Sequence, residues 1–234
     1  MSRHLKRLVA PRSWPIPRKT YVWAVKSRPG PHPIERSLPL LMIIRDVLHY
    51  ADTSVEAKRI ISSGNVFVDG KIVKDYKRPV GLMDVLSIPK TKECFRVMLD
   101  HRGKIRFVAI PEKNAKWKLV RIENKITLKG GKNQINLHDG RNILTDEKYS
   151  TGDTLKIECP SQKILENYPL VKGNKALIMS GKHAGEAATI TNCEVTRSQK
   201  PNTVYFENFS TTREHVFVIG EKKSEVVLPE VSVI

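Results

Sequence analysis

Proline is concentrated at the beginning of the chain, and this excludes a regular helix there. The first 39 of the 234 residues hold seven of the fourteen prolines. Each proline ring fixes its own φ angle, removes a backbone N–H donor and drives the preceding residue toward extended geometry. We therefore predict that residues 1–39 form an extended arm instead of a helix.

The same arm is the most basic part of the chain. The sequence has 41 Lys and Arg against 24 Asp and Glu, a net charge of +17, and residues 1–40 contribute nine basic residues and one acidic residue, or +8. A folded chain with such an excess repels itself unless a polyanion neutralises it, and binding to phosphates also releases counterions. We expect nucleic acid as the partner, with an anionic membrane surface as the second candidate.

The basic and aromatic residues of the arm suggest how it binds. Trp14, Tyr21 and Trp23 alternate with the cations of the arm. Such rings either stack on bases and sugars or pin the arm to its own protein, and we favour pinning for the rings and RNA contact for the cations. The arm cations predicted to bind RNA are Arg3, Lys6, Arg7, Arg12, Arg18, Lys19, Lys26 and Arg28.

Cysteine use and apolar runs indicate a reducing compartment and no membrane span. Cys94, Cys159 and Cys193 are far apart, and no C-x-x-C pair is present to hold zinc. An odd number of cysteines argues against a disulfide framework. No apolar run approaches the length that crosses a bilayer. We expect a cytoplasmic protein without a metal or another cofactor.

Residues 40–90 are predicted to form two helices packed on a few strands. The Thr53–Glu56 segment is a capping box that begins the second helix, and Gly64 is suited to end it. Asp69-Gly70 between two apolar runs predicts a tight hairpin, and Val85–Ile88 predicts a further strand. The first helix is predicted from one apolar face made of Leu40, Ile43, Ile44, Val47 and Leu48.

From residue 93 onward the sequence predicts short strands separated by turns, which is typical of small barrels or sandwiches. Pro160 ends the first group of strands, and residues 172–220 form another β-rich unit. Residues 221–234 are compatible with a tail or with a docked strand, and the pattern does not decide between them. The predicted strands are 95–99, 105–109, 117–122, 125–129, 134–137, 154–158, 176–179, 187–195, 203–206 and 214–219.

No set of residues matches a catalytic or metal site. A Gly-x-Ser-x-Gly elbow is absent, and the histidines are scattered without metal-ligand spacing. Asp139-Gly140-Arg141 is similar to the catalytic loop of pseudouridine synthases, but Asn142 interrupts the Arg-Leu-Asp sequence expected there. We predict that the protein is not an enzyme.

Two segments resemble known RNA-binding modules. Ile44–Leu48 and Ala57–Lys71 resemble the S-four (S4) RNA-binding domain, which has an αL-like fold. The inward apolar stripe already turns basic residues of both helices outward, and the resemblance implies that these approach RNA together with the hairpin. The residues implicated are Arg45, Lys58, Arg59, Asn65 and Lys71.

Gly173–Ile190 is similar to a KOW motif, a strand, a Gly-rich loop and a second strand within an SH3-like barrel. Gly181 and Gly185 permit left-handed backbone and close approach to a partner. Lys182 and His183 then lie at the loop tip, where we expect RNA contact. Because His183 follows Lys182, the loop lacks the Gly-Lys-Ser/Thr end of a nucleotide-binding loop.

The order of these segments resembles the small-subunit ribosomal protein S-four-e (S4e) family of archaea and eukaryotes. Supporting runs are His4–Pro11, Gly30–His32, Leu38–Leu40, Gly81–Ile88 and Phe217–Gly220. The resemblance implies a multi-domain α+β fold, with the αL-like two-helix, small-sheet domain followed by β-rich barrel domains that include the SH3-like KOW barrel. The expected segments are the arm 1–39, the S-four domain 40–92, a central β-rich domain 93–170, the KOW barrel 171–220 and the tail 221–234.

The resemblance implies a structural component of the small ribosomal subunit that binds ribosomal RNA and neighbouring ribosomal proteins and supports translation. It implies no cofactor, no small-molecule substrate and no membrane. Three alternatives remain open from sequence: an RNA-modifying enzyme that uses the S-four domain for targeting, a transcription factor of the KOW type, and a membrane-surface protein.

Overall fold

The computed structural model describes residues 4–128, 130–196 and 199–229, which divide into two compact units. The first unit contains the described residues up to Met98 together with Lys104–Lys118. The second contains Leu99–Gly103 and the described residues from Leu119 onward. Most regular structure in both units is β-strand, and two short α-helices lie in the first. The α+β class is confirmed at this level.

The first unit consists of short strands around a short helical layer. Its main sheet has five strands in the order β5–β4–β7–β8–β9, and β1–β2 and β3–β6 form two-stranded sheets. Helix α1 (Leu40–Met42) continues as a π-helical segment (Ile43–Val47), and α2 is Ser54–Ser62. The strands are β1 (Leu5–Lys6), β2 (Trp23–Ala24), β3 (Ser37–Pro39), β4 (Phe67–Val68), β5 (Lys71–Ile72), β6 (Pro79–Gly81), β7 (Val85–Ile88), β8 (Glu93–Leu99) and β9 (Ile105–Ile110).

The N-terminal arm is folded onto the first unit. Within residues 4–39 the only helical residues belong to two 3-10 turns, Arg7–Val9 and Ile34–Arg36, so the prediction of no regular helix is confirmed there. Trp14 is 1% exposed, and its indole N–H donates to the Ile34 carbonyl at 3.3 Å. Trp14 therefore pins the arm to its own protein, as favoured from sequence.

The first predicted helix forms, but its geometry and burial differ from the prediction. Residues 40–44 are all buried, so the segment is apolar on every side instead of along one stripe. The amide of Leu48 donates to the Ile43 carbonyl at 2.9 Å, five residues back, which is the π-helical pattern. Apolar spacing alone does not distinguish this pattern from an α-helix. The backbone amides of Leu40 and Leu41 donate to the carbonyls of Arg78 and Tyr76, so the segment 76–78 packs against the start of this helix.

The second helix and the hairpin form as predicted. The Thr53 hydroxyl accepts from the Glu56 amide, and the Glu56 carboxylate accepts from the Thr53 amide, each at 3.3 Å. These bonds complete the capping box that starts α2. Asp69 and Gly70 have φ angles of 51° and 73°, as a two-residue hairpin turn requires, and they join β4 to β5.

The second unit contains two antiparallel sheets of five strands each. Their strand orders are β12–β11–β10–β13–β14 and β18–β17–β16–β15–β19. Val120, Ile122, Ile135, Leu155 and Ile157 belong to the core of the first of these sheets. The strands are β10 (Trp117–Thr127, whose first two residues belong to the first unit), β11 (Asn133–Leu137), β12 (Asn142–Thr145), β13 (Thr154–Glu158), β14 (Ile164–Tyr168), β15 (Lys175–Ile178), β16 (Ala187–Glu194), β17 (Thr203–Phe206), β18 (Ser210–Thr212) and β19 (Val216–Gly220).

Several strand predictions need correction. Strands 117–122 and 125–129 are one strand, β10, because a register shift between Ile122 and Asn124 bends the chain without ending its pairing; Lys129 lies outside the described residues. Strands β12, β14 and β18 were not predicted. They are edge strands whose outward residues are polar or exposed, so they lack a regular apolar alternation.

The described part of the last segment, residues 221–229, is docked onto the second unit. Val226 is buried, and the Glu225 amide donates to the Ile219 carbonyl at 3.0 Å.

A buried charged network lies in the first unit. The ammonium of Lys118 donates to Asp69 at 2.8 Å and to Asp84 at 3.0 Å, and all three side chains are almost fully buried. The second oxygen of Asp84 accepts from His32 Nε2 at 2.9 Å and from the Gly81 amide at 3.0 Å. Burial raises the pKa of Asp84, but the charges of His32 and Lys118 and these hydrogen bonds outweigh burial and hold the pKa well below its usual range.

This network joins segments that are distant in sequence. His32 belongs to the arm, Asp69 to the turn of the hairpin, Asp84 to the turn before β7 and Lys118 to the start of β10. A Cβ atom on Gly81 would lie 2.3 Å from the His32 ring, so only glycine allows the imidazole to reach Asp84. The network therefore fixes the position of the arm against the hairpin.

We predict that replacing Lys118 by Met lowers the free energy of unfolding of the first unit by about 3–5 kcal/mol, because the buried carboxylates of Asp69 and Asp84 then lose the ammonium group that they share. Urea unfolding followed by tryptophan fluorescence measures this, since all three tryptophans (Trp14, Trp23 and Trp117) lie in the first unit. Replacing the exposed Lys116 by Met is the control, with an expected change within about 0.5 kcal/mol. Equal effects of the two substitutions would contradict the prediction.

Candidate nucleic-acid interface

The outer face of α2 presents two cations to solvent. Lys58 and Arg59 are exposed, whereas Ala57 and Ile61 on the opposite face are fully buried. The capping box fixes the first turn of this helix, and hydrogen bonds from the amides of Thr53 and Asp52 lower the pKa of Glu56. The apolar stripe thus turns the two basic side chains outward, as predicted from sequence.

The other predicted S-four residues differ in how they are held. Lys71 is exposed at the start of β5. The side-chain amide of Asn65 donates to the Ser63 hydroxyl. The Arg45 side chain is only 19% exposed. Its guanidinium donates to the Asp46 carboxylate at 2.8 Å and to the Ser54 hydroxyl at 2.5 Å. Arg45 therefore joins the π-helical segment to the first residue of α2 instead of projecting freely outward.

The arm cations divide into exposed and internally bonded groups. Lys6, Arg12 and Lys19 are exposed. Arg28 is exposed as well and pairs with Asp75 at 2.9 Å. Arg3 lies outside the described residues.

Two arm arginines hold the arm itself together. Arg7 is 1% exposed and donates to the Pro17 carbonyl at 2.6 Å and to Asp46 at 3.3 Å. Arg18 is half-buried and donates to the carbonyls of Leu8 and Pro11. Carbonyl groups of a segment without regular secondary structure need such donors. The side chain of Arg7 is thus turned into the protein, away from any phosphate at the surface.

Two of the arm's aromatic rings face solvent. Tyr21 is 69% exposed and Trp23 is 55% exposed, unlike the buried Trp14. His4 lies against Trp23, with ring centroids 5.6 Å apart and planes tilted by 53°. Large exposed rings next to cations are typical of surfaces that bind single-stranded nucleic acid.

A pocket not predicted from sequence lies where the arm meets α2 and the segment after β5. It contains Trp23 and Lys26 from the arm and Lys58 from α2. Tyr76 and Lys77 complete its basic and aromatic lining. The ammonium groups of Lys58 and Lys77 lie 4.9 Å and 5.6 Å from the centroid of the Tyr76 ring. The adjacent Tyr76-Lys77 pair was the available signal in the sequence, but nothing there indicates which segments meet.

In the second unit, the segment similar to a KOW motif has the predicted strand, loop and strand. Strands β15 and β16 pair antiparallel, and the Gly185 amide donates to the Ile178 carbonyl at 2.8 Å. Gly185 has a φ angle of 88°, and a Cβ atom there would overlap the Asp100 carbonyl, so the close approach is to the chain's own backbone. Lys182 is exposed, and the ring of His183 stacks on Phe209 with centroids 4.1 Å apart.

The described residues also bear on metal sites, membrane-spanning helices and the Asp139 segment. Among them, no group of three or more His, Cys, Asp or Glu side chains is arranged to hold a metal ion. Over the same part of the chain, no helix is long and apolar enough to cross a membrane. Asp139, in the segment similar to the pseudouridine synthase loop, is buried. Its Oδ2 atom lies 3.2 Å from Nε of Arg141.

Comparison with family models places three known segments along the chain. Residues 1–35 match the RS4NT (NUC023) domain, residues 39–86 match the S4 domain and residues 91–164 match the ribosomal family S4e. The matched segments follow one another in the order inferred from sequence.

Several full-length relatives are similar to the chain. The small ribosomal subunit protein eS4 of Methanothermobacter thermautotrophicus is 49% identical over 232 residues, which cover 97% of this chain and 96% of that protein. The eS4 protein of Methanosphaera stadtmanae is 45% identical and covers 97% and 95%.

A solved structure is similar as well. The crystal structure of the 30S ribosomal protein S4e from Thermoplasma acidophilum aligns with a TM-score of 0.72 at 38% identity and covers 82% of this chain and 99% of that one. Identity of this extent over nearly the full length, together with the family models, settles the family. This chain belongs to the ribosomal S4e family.

Proposed function

We propose that the protein is a structural component of the small ribosomal subunit that binds ribosomal RNA and thereby supports translation in the cytoplasm. The observation that carries this proposal is the pair of exposed cations on α2, Lys58 and Arg59, beside a basic arm that is fixed to the same unit. The relatives named eS4 are small-subunit proteins, and one matched segment is an S4 domain. RNA and neighbouring ribosomal proteins are the partners.

The RNA-facing surface of this proposal is made of cations that are exposed to solvent. Within it, Lys58, Arg59 and Lys71 come from the S4 domain. The exposed residues Lys6, Arg12, Lys19 and Arg28 of the arm extend it. Arg7, Arg18 and Arg45 stabilise the protein that carries this surface, because their guanidinium groups donate to carbonyls or carboxylates of the protein. Asn65 and Lys26, which were also predicted to contact RNA, are half-buried.

Binding of this kind depends on phosphate charge and RNA shape more than on base sequence. Lysine and arginine contacts to phosphates position a protein on nucleic acid but carry no sequence information. The deep major groove of A-form RNA keeps side chains from the base edges, so proteins recognise its shape and backbone. The role is to hold and rigidify folded RNA, and it requires no catalytic residue and no cofactor.

The second unit contributes further binding surfaces in this proposal. We assign the strands from β15 to β19 to an SH3-like KOW barrel over residues 171–220, with Lys182 and His183 on its loop. The other proposed segments are the arm at 1–39, the S4 domain at 40–92 and the central β-rich domain at 93–170, of which β8 and β9 join the main sheet of the first unit. Two observations support the separation of the KOW barrel from the central domain: the two five-stranded sheets of the second unit, and the paired strands on either side of the Gly-rich loop.

We predict that binding to small-subunit ribosomal RNA weakens steeply with salt. Six to ten phosphate contacts would lose about 10³–10⁵-fold in affinity between roughly 50 and 200 mM monovalent salt. Filter binding to a transcript of that RNA over a salt series measures the slope. A flat response would contradict the proposal.

We predict that replacing both Lys58 and Arg59 by Ala weakens this binding and lowers the salt slope by about 2, one unit for each lost phosphate contact. The control replaces Lys90 and Lys92, exposed cations around the β7–β8 turn, by Ala. It removes the same charge from the same unit and should leave the affinity within about threefold. Equal losses in the two double variants would mean that only overall charge matters, which contradicts a specific α2 surface.

We predict that replacing Arg45 by Ala lowers the free energy of unfolding of the first unit by about 1–3 kcal/mol, because Asp46 and Ser54 lose a charged hydrogen-bond partner. Replacing the exposed Arg59 by Ala is the control, with an expected change within about 0.5 kcal/mol. Urea unfolding followed by tryptophan fluorescence measures both. If Arg45→Ala left stability unchanged but weakened RNA binding as much as Arg59→Ala, Arg45 would belong to the contact surface instead.

A further inference from the structure

We propose that the pocket between the arm, α2 and the segment after β5 holds one unpaired nucleotide of the bound RNA. In this assignment the base stacks on Trp23, and the adjoining phosphate lies against Lys26, Lys58 and Lys77. The proposal rests on the proposed function, since it names a subsite within an RNA-binding surface. It also makes the arm and the S4 domain parts of one site instead of two independent contacts.

The chemistry of the lining favours a nucleotide. Three lysines, one histidine and two aromatic residues line the pocket, and the lining contains no carboxylate. A phosphate group is therefore attracted from several sides, and the neighbouring Asp75 carboxylate is paired with Arg28 at 2.9 Å. Aromatic rings stack with any base because every base has a π-face. A paired base is already covered on both faces by its neighbours, so the pocket selects an unpaired one.

The positions of the lysines are set before the ligand arrives. The ammonium group of Lys58 lies 4.9 Å from the centroid of Tyr76, and that of Lys77 lies 5.6 Å from it. A cation over an aromatic ring is attracted by the ring's negative face. Tyr76 thus holds two flexible side chains at the pocket, which reduces the entropy that binding costs.

The stacking surface is exposed and supported by neighbouring groups. Trp23 is 55% exposed although it belongs to strand β2, and His4 packs against it at 5.6 Å between ring centroids. The pairing of Trp23 with Lys6 in strand β1 fixes the backbone beneath the ring. An exposed tryptophan on fixed backbone has little freedom to lose when a base stacks on it.

The size of the pocket limits what it accommodates. Its volume is about 220 Å³. Pockets for drug-sized ligands measure roughly 300–1,000 Å³, so this one is suited to a single planar group with its phosphate. Buried Leu41 and half-buried Ser54 are also part of the lining and close the pocket on the side of the protein core.

The test measures binding of the full chain to a fluorescein-labelled single-stranded oligoadenylate of ten nucleotides and to a fluorescein-labelled blunt-ended RNA duplex without unpaired nucleotides, by fluorescence anisotropy. Replacing Trp23 by Leu should weaken oligoadenylate binding about 5- to 140-fold, the loss expected for one stacked base. Duplex binding should stay within about twofold, because paired bases are stacked on one another and are not available to the indole ring. Replacing Trp23 by Phe should restore most of the affinity for the single strand.

A matched control separates this pocket from general stacking on the arm. Tyr21 is 69% exposed, more than Trp23, but does not line the pocket, so Tyr21→Leu should change oligoadenylate affinity less than about twofold. Thermal unfolding of each variant checks that it remains folded at the temperature of the assay. Equal losses for Tyr21→Leu and Trp23→Leu would overturn the pocket assignment.

The remaining outcomes distinguish the two proposals. If the wild-type chain binds a transcript of small-subunit ribosomal RNA but Trp23→Leu leaves oligoadenylate affinity unchanged, the pocket assignment fails and the proposed function stands. If the wild-type chain binds neither RNA at low salt, the proposed function fails as well. If poly-glutamate binds as tightly as oligoadenylate and loses affinity equally in Trp23→Leu, the pocket belongs to an acidic protein segment, which also overturns the assignment.

Discussion

The contact of one buried lysine with two buried carboxylates fixes the arrangement on which the rest of the first unit depends. The Lys118 side chain is fully buried, and its charge is compensated by Asp69 and Asp84, which both lie within hydrogen-bond distance. Asp84 also holds His32 of the arm, and the burial of Trp14 fixes the arm at a second point. An arm rich in proline forms little regular structure of its own, so side-chain contacts of this kind determine where it lies.

That arrangement explains why the arm and the S4 domain act as one surface in our account. With the arm anchored, Trp23 and Lys26 lie beside Lys58 on α2, although more than 30 residues separate Lys26 from Lys58. Arg7 and Arg45 both donate to Asp46 within the protein, and in our proposal exposed cations such as Arg59 contact RNA.

The sequence predicted the elements that local chemistry determines. The capping box at Thr53, the Asp69-Gly70 turn and the strand-loop-strand segment around Gly185 depend on neighbouring residues, and all three form. It did not predict the π-helical segment, because a segment of five residues is too short for apolar spacing to separate the two helix types. It also missed the pocket around Tyr76 and the role of Lys118, because both depend on tertiary contacts between distant segments. An inward-facing lysine has no signature that distinguishes it from a surface lysine.

The central claim is that the anchored arm and α2 together face ribosomal RNA. Ultraviolet cross-linking of the full chain to a transcript of the small-subunit RNA, followed by mass spectrometry of the peptide–nucleotide adducts, tests it most directly. The account predicts adducts on arm peptides that contain Trp23 and on α2 peptides that contain Lys58. Adducts confined to peptides of the second unit, with none from the arm or α2, would contradict it.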